Sequence, residues 1–150
     1  MTKIKFVLLA VLLIFLIYIV PYFFATQPDY GKLKVFVGGK EFIVRVADTK
    51  DEREKGLSGT PSLPLGEGML FVFSGSNNYG FWMKDMQYPI DIVWIGEDLK
   101  ITHIEKSLSP DTYPKVYYPL KPSRYVLEVS SGQSDNLKVK IGDSVIFSRE

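Results

Sequence analysis

Polar and apolar positions divide the 150-residue chain into one long apolar run, several short extended runs and two stretches dense in Gly and Pro. After Lys3 and Lys5, the twenty residues from Phe6 to Ala25 carry no charge. As a helix they would reach about 30 Å, the thickness of a bilayer core. This pattern predicts an uncleaved N-terminal membrane anchor with a short linker, residues 1–28. The lysines then lie inside, and a membrane-anchored domain, residues 30–150, lies on the extracytoplasmic side. A cleaved signal peptide is the alternative, but its apolar region usually spans about 7–15 residues and ends at small residues, whereas Phe23 and Phe24 precede Ala25 here.

From Leu33 to Val46, LKVFVGGKEFIVRV reads as two β-branched runs around Gly38-Gly39, the signal for a two-residue hairpin turn at positive φ. That turn sets Val35 opposite Phe42 and Leu33 opposite Val44 on the buried face, with Lys34, Glu41 and Arg45 on the other. Thr49-Lys50-Asp51-Glu52 has the spacing of a capping box, and Gly56 suits a helix end, so one short helix is predicted over residues 50–55. The loop GLSGTPSLPLGEG follows. Extended runs at 69–73, 80–85 and 90–95, then LKITHIEK, RYVLEV and a closing pair, LKVKI and SVIFS, bring the strands to eight or nine. Residues 107–123, with four prolines and three tyrosines, have no periodicity; a loop this long in a compact domain is functional or mobile. The predicted fold is mainly β, a β-rich α+β class: a compact barrel-like or sandwich-like antiparallel sheet with one short helix, preceded by an N-terminal transmembrane helix.

Composition removes several function classes. Lys plus Arg, 18, nearly balances Asp plus Glu, 17, and the charges are dispersed, so no nucleic-acid footprint is present. The absence of cysteine excludes disulfides, thiolate nucleophiles, Cys-ligated zinc, iron–sulfur clusters and a lipidated cysteine anchor. His103 is the single histidine and no G-x-S-x-G elbow accompanies it, so it reads as a half-exposed strand residue rather than a triad base. No loop spaces carboxylates like a calcium-binding EF-hand, zinc finds neither cysteine nor a second histidine and is left with carboxylates, and Gly66-Glu67-Gly68 is too short for a phosphate cradle. No metal or other cofactor is expected.

The candidate chemistry lies chiefly between Gly66 and Ile95. Asp91 interrupts the apolar run YPIDIVWI, and Glu128 does the same in YVLEV. A buried carboxylate must be paired or hydrogen-bonded, or else become neutral. Each is therefore either structural, with Arg53, Lys84 or Arg124 as possible partner charge, or a ligand-binding or acid/base group. Alternation on a strand sends Trp82 and Lys84 to one face and Met83 to the other. Trp82 is then either core filling or a platform for a sugar, peptide or cation, with Lys84 and Asp85 fixing orientation. Glu67, beside two glycines, is a further candidate. Tyr113, Tyr117 and Tyr118 either wall a pocket or partner surface or pack their loop on the sheet.

Arg53, Gly56-Leu57, Leu63, Gly68-Met69-Leu70-Phe71 with Phe73, Phe81-Trp82-Met83-Lys84, Pro89-Ile90-Asp91-Ile92, Tyr125-Val126-Leu127-Glu128 with Gly132, and Gly142-Asp143 arrive in one order. Together they resemble domain-of-unknown-function family 192, also called uncharacterised protein family 0127. The resemblance implies a signal or anchor segment before one compact, mainly β domain; it supplies no reaction. Two departures stand out: Ser58 where the family often has Met after Gly-Leu, and Asp85-Met86 where it often has Asn-Thr. If those positions touch a ligand, this chain binds differently.

Three functions are compatible with this pattern. The first is a binding or accessory module for a small polar ligand or a protein partner, using Arg53, Trp82, Lys84, Asp85, Asp91 and Glu128. The second is a hydrolase or lyase acting on glycan or peptide material, with Asp91 and Glu128 or Glu67 as acid/base pair; two carboxylates suffice for glycoside hydrolysis at separations of about 5–9.5 Å. The third is a structural partner of a membrane protein, through the 107–123 loop.

Overall fold

The computed structural model describes Phe15 and residues 33–149. The expected membrane anchor lies outside the described residues, and among the described residues no helix is long and apolar enough to cross a membrane. Gly38 and Gly39 both take positive φ, 59° and 77°, and close the hairpin of β1 (Leu33–Val37) on β2 (Lys40–Ala47). The register is the one the pattern dictates, Val35 facing Phe42 and Leu33 facing Val44. Val35, Phe42 and Val44 are buried, Leu33 partly so, and Lys34 meets Glu41 at 3.3 Å on the outer face.

Helix α1 (Lys50–Lys55) starts at the capping box: Thr49 Oγ1 accepts the Glu52 N–H at 3.3 Å and Glu52 Oε2 accepts the Thr49 N–H at 3.0 Å. From there a loop leads to β3 (Glu67–Asn77), which runs parallel to β2. This corrects the expectation of an antiparallel sheet. A tight turn can only reverse the chain, but the long connection through α1 and its loop carries it back to start β3 in the direction of β2.

Strand β5 (Ile90–Ile95) is buried at every position, as a strand covered on both faces must be. It pairs with β6 (Ile101–Leu108) on one side and β8 (Ser123–Ser130) on the other, and β8 also pairs with β3. With the edge strand β9 (Ile146–Arg149), the seven-stranded sheet has the order β6-β5-β8-β3-β2-β1-β9. The sheet is mixed and is not closed into a barrel. Its two ends nevertheless approach beside the starts of β6 and β9, where the Val145 N–H bonds the Leu99 carbonyl at 2.8 Å and the Ile101 N–H bonds that of Asp143 at 2.9 Å.

A separate ribbon pairs β4 (Phe81–Trp82) with β7 (Val116–Tyr117), so the proline-rich 107–123 loop folds over the FWMK segment. The run predicted as a strand over 80–85 is only two residues long, because the chain turns at Asp85, φ 56°. LKVKI forms no strand either. A second short helix, α2 (Gln133–Asn136), precedes it, and Val139 is buried in the core, 2.9 Å from where a Cβ on Gly38 would stand.

Alternation along the strands sends the core to both faces of the sheet. Val35, Phe42, Leu70, Val93, Ile95 and Leu127 belong to one cluster; Met69, Phe71, Ile90, Ile92, Trp94 and Val126 belong to the other, under α1, the 56–66 loop and the β4–β7 ribbon.

Asp91 is fully buried and fully satisfied. Its Oδ1 accepts the N–H groups of Ser107 at 2.8 Å and Gly132 at 3.2 Å; its Oδ2 accepts the Ser134 N–H at 2.9 Å and hydroxyl at 2.7 Å. One carboxylate thus ties the start of β5 to the end of β6 and the turn into α2. An Asp91→Asn amide turns an N–H₂ toward two of these donors, and we expect a loss of about 2–4 kcal/mol in urea unfolding. A loss below about 0.5 kcal/mol, the range of ordinary surface changes, would show that this clasp does not hold the elements together.

Candidate functional site

A cleft of about 320 Å³ opens on the second face of the sheet, between α1 and the β4–β7 ribbon. That is the small end of the ligand-pocket range, about 300–1,000 Å³. Its apolar wall comes from Phe71 and Phe73 on β3 and from Tyr79, Phe81 and Trp82. Phe71 meets Phe81 edge to face, centroids 4.8 Å apart, and Phe81 meets Trp94 the same way at 6.0 Å. Phe73 stacks on Tyr79 at 3.5 Å, and the Tyr79 hydroxyl donates to the Gly75 carbonyl at 2.9 Å. The Trp94 indole N–H donates to the Tyr79 carbonyl at 3.1 Å, fixing the approach to β4. Trp82 itself is 52% exposed. Gly80 has to be glycine, since a Cβ there would lie 2.6 Å from both Tyr118 and Val116.

Helix α1 supplies the charged rim with Lys50, Arg53, Glu54 and Lys55. Arg53 is held from two sides: its Nη1 donates to the carbonyls of Asp48 and of Val72, the latter at 3.0 Å, and its guanidinium lies 5.1 Å from the Phe73 ring centre. Glu128 lines the cleft from β8. Its neighbours across the strands are Met69 and Ile92, and among the described residues its carboxyl has no hydrogen-bond or ion-pair partner. None of the cations considered for it serves. Arg53 bonds carbonyls, Arg124 pairs with Glu97 at 2.8 Å, and Lys84 is exposed.

Of the residues singled out in the sequence, Arg53, Trp82 and Glu128 come together in the cleft. Lys84 and Asp85 are exposed beside it, and their carbonyls accept from the Ser58 hydroxyl and the Gly59 N–H, both at 2.9 Å. Glu67 is exposed at the start of β3 and is not among the cleft residues. Asp91 pairs with Val129 and Ile92 with Glu128 across β5 and β8, so alternation turns Asp91 and Glu128 to opposite faces of the sheet. The acid/base pair drawn from these carboxylates is therefore not assembled. Sequence reasoning does not single out Lys55, Phe73 and Tyr79 as cleft residues; the capping box next to Arg53 marks the helix that carries Lys55, and Phe73 and Tyr79 lie within the Gly66–Ile95 stretch as ordinary aromatics. Among the described residues no cluster of three or more His, Asp or Glu could hold a metal.

This geometry defines a class: a small, mainly β domain with an open mixed sheet and an aromatic cleft against one face. Residues 33–147 match domain-of-unknown-function family 192 (DUF192), described as an uncharacterized ACR, and the chain belongs to that family. Two solved structures share the fold at a TM-score of 0.71. One, from Sinorhizobium meliloti 1021, is described as a proposed transcription regulator and is 26% identical, over 77% of this chain and 92% of its own. The other, a protein of unknown function from Novosphingobium aromaticivorans DSM 12444, is 29% identical over 77% of this chain and 83% of its own. No curated protein matches the chain. Two positions at which this chain departs from the family pattern noted above, Ser58 and Met86, both line the cleft.

Burial pushes the Glu128 carboxyl up from 4.5 to about 8. Between those values the folded chain keeps a proton that the unfolded chain has released. The contribution of Glu128 to stability is thus complete below about 4.5 and declines as pH rises toward about 8, by an amount on the order of a few kcal/mol. Glu128→Gln is nearly isosteric and uncharged at every pH. In urea unfolding its stability relative to the parent should rise between about pH 5 and about pH 8; parallel curves would show that Glu128 does not titrate in this way.

Proposed function

We propose that the domain is a binding or accessory module that takes a small polar ligand in the cleft between α1 and the β4–β7 ribbon. In this reading residues 1–28 tether it to the membrane, with the domain on the extracytoplasmic side. The observation that carries the reading is the contrast between two buried carboxyl groups. Asp91 has four donors and no opening, as a structural carboxylate should. Glu128 has no hydrogen-bond or ion-pair partner among the described residues and lies in an open cleft beside a half-exposed Trp82. Unpaired buried polar groups cost stability, and a ligand that bonds Glu128 offsets that cost. The exposed Tyr113, Tyr118 and Leu120 in the loop that carries β7 favour a protein partner as the second reading.

Trp82→Ala should remove the thermal shift that a ligand produces in the purified full-length chain and alter unliganded stability by less than about 1 kcal/mol, because the side chain is half exposed. A ligand whose shift survives that change binds elsewhere. For the tether, deletion of residues 1–28 should move the protein from the membrane pellet to the soluble fraction. Mature protein beginning near Ala25 would show cleavage instead.

A further inference from the structure

The charges around the cleft discriminate between ligand classes. On α1, Lys50 is engaged by Glu54 at 3.6 Å. Arg53 and Lys55 remain, and among the described residues neither has a carboxylate partner. Arg53 uses Nη1 for two carbonyls, while its Nε and Nη2 have no acceptor among the described residues and its plane is fixed against Phe73. A guanidinium held in this way keeps part of its donor fork available for an anion at little further entropic cost. Glu128, surrounded by Met69 and Ile92, offers one O–H and one carbonyl oxygen without charge while it stays protonated.

Resting on the reading that the cleft binds a small polar ligand, we infer that this ligand is an organic anion. It carries a carboxylate or phosphate on a flat-faced body, either an aromatic ring or a pyranose. Its acidic group meets Arg53 and Lys55, its face packs on Phe81 and Trp82, and a hydroxyl or amide on the body reaches Glu128. An aromatic cleft with a carboxyl group would otherwise suit an ammonium ion. Here such a cation would face two positive side chains on α1 that have no carboxylate partner among the described residues. A neutral ligand would cover the free donors of Arg53 without replacing the water they lose. The cleft volume, about 320 Å³, matches a ligand with a single ring.

Calorimetry on the full-length chain in mild detergent, near neutral pH and at low salt, tests this with matched probes. The aromatic set is 4-hydroxybenzoate, 4-hydroxybenzyl alcohol and 4-hydroxybenzyltrimethylammonium; glucuronate and methyl glucoside form the sugar set. In whichever set binds, the anion should bind at least about tenfold tighter than its neutral counterpart, weaken as salt rises, and outcompete the ammonium. Lys55→Met, at an exposed side chain, should weaken the anion about two- to fivefold and leave the neutral probe unchanged. Arg53→Lys, which keeps the charge but loses the fork, should weaken it about tenfold. If a neutral or ammonium probe binds as tightly as the anion and Trp82→Ala abolishes that binding, the anion inference falls and the cleft reading stands. If no probe binds the parent chain, the cleft reading falls and the inference with it. Anion binding that neither Lys55→Met nor Trp82→Ala disturbs lies outside the cleft and overturns the inference.

Discussion

Strand β8 has hydrogen-bonded neighbours on both sides, and over residues 126–129 it is buried on both faces, so a polar group placed there leaves water on folding. Three of those four residues obey that constraint: Val126, Leu127 and Val129 divide between the two core clusters. Glu128 breaks it. The fold meets the same demand differently on the adjacent strand, where Asp91 is surrounded by donors from Ser107, Gly132 and Ser134. A central carboxyl that is satisfied welds elements together. One that is left open toward a cleft is held in its neutral form and is available for a partner from outside.

The surroundings of Glu128 follow from two departures from a simple meander. The parallel step from β2 to β3 requires a long connection, and that connection brings α1 with Arg53 and Lys55 to one rim of the cleft. The proline-rich segment after β6 is too irregular to continue the sheet. Through β7 it instead pairs with Phe81 and Trp82, setting the aromatic wall facing α1. Arg53 then ties α1 to β3, bonding the carbonyls of Asp48 and Val72 and lying over the Phe73 ring. The cleft is therefore lined by segments that are distant in the chain and fixed by backbone contacts.

Local physics was legible wherever the chain specifies itself over a few residues. The Gly38-Gly39 turn set the β1–β2 register, because two positive-φ residues leave one way to close the hairpin. The capping box at Thr49 and Gly56 bounded α1. The run IDIVWI marked a strand buried on at least one face, which the structure covers on both, and Asp91 and Glu128 were recognisable as polar groups that the core had to explain. Less legible was anything set by partners far along the chain. LKVKI has strand composition, yet Val139 is drawn into the core beside Gly38 and no strand forms. The run at 80–85 has strand composition too, but the turn at Asp85 leaves only two residues in the ribbon.

From the sequence alone came the mainly β class, the Gly38-Gly39 turn and the bounds of α1, the family resemblance, and three of the residues that meet in the cleft, Arg53, Trp82 and Glu128. These depend on local conformational preference and on hydrophobic alternation, both written in neighbouring residues. Only the tertiary structure decided that β3 runs parallel to β2 and that the sheet stays open. It also decided that Asp91 and Glu128, alike as apolar-strand carboxylates, take opposite roles. A single register step between β5 and β8 turns their side chains to opposite faces, one into a ring of backbone and hydroxyl donors and the other into a cleft. That step is fixed by which strands lie side by side, and no short stretch of sequence contains it.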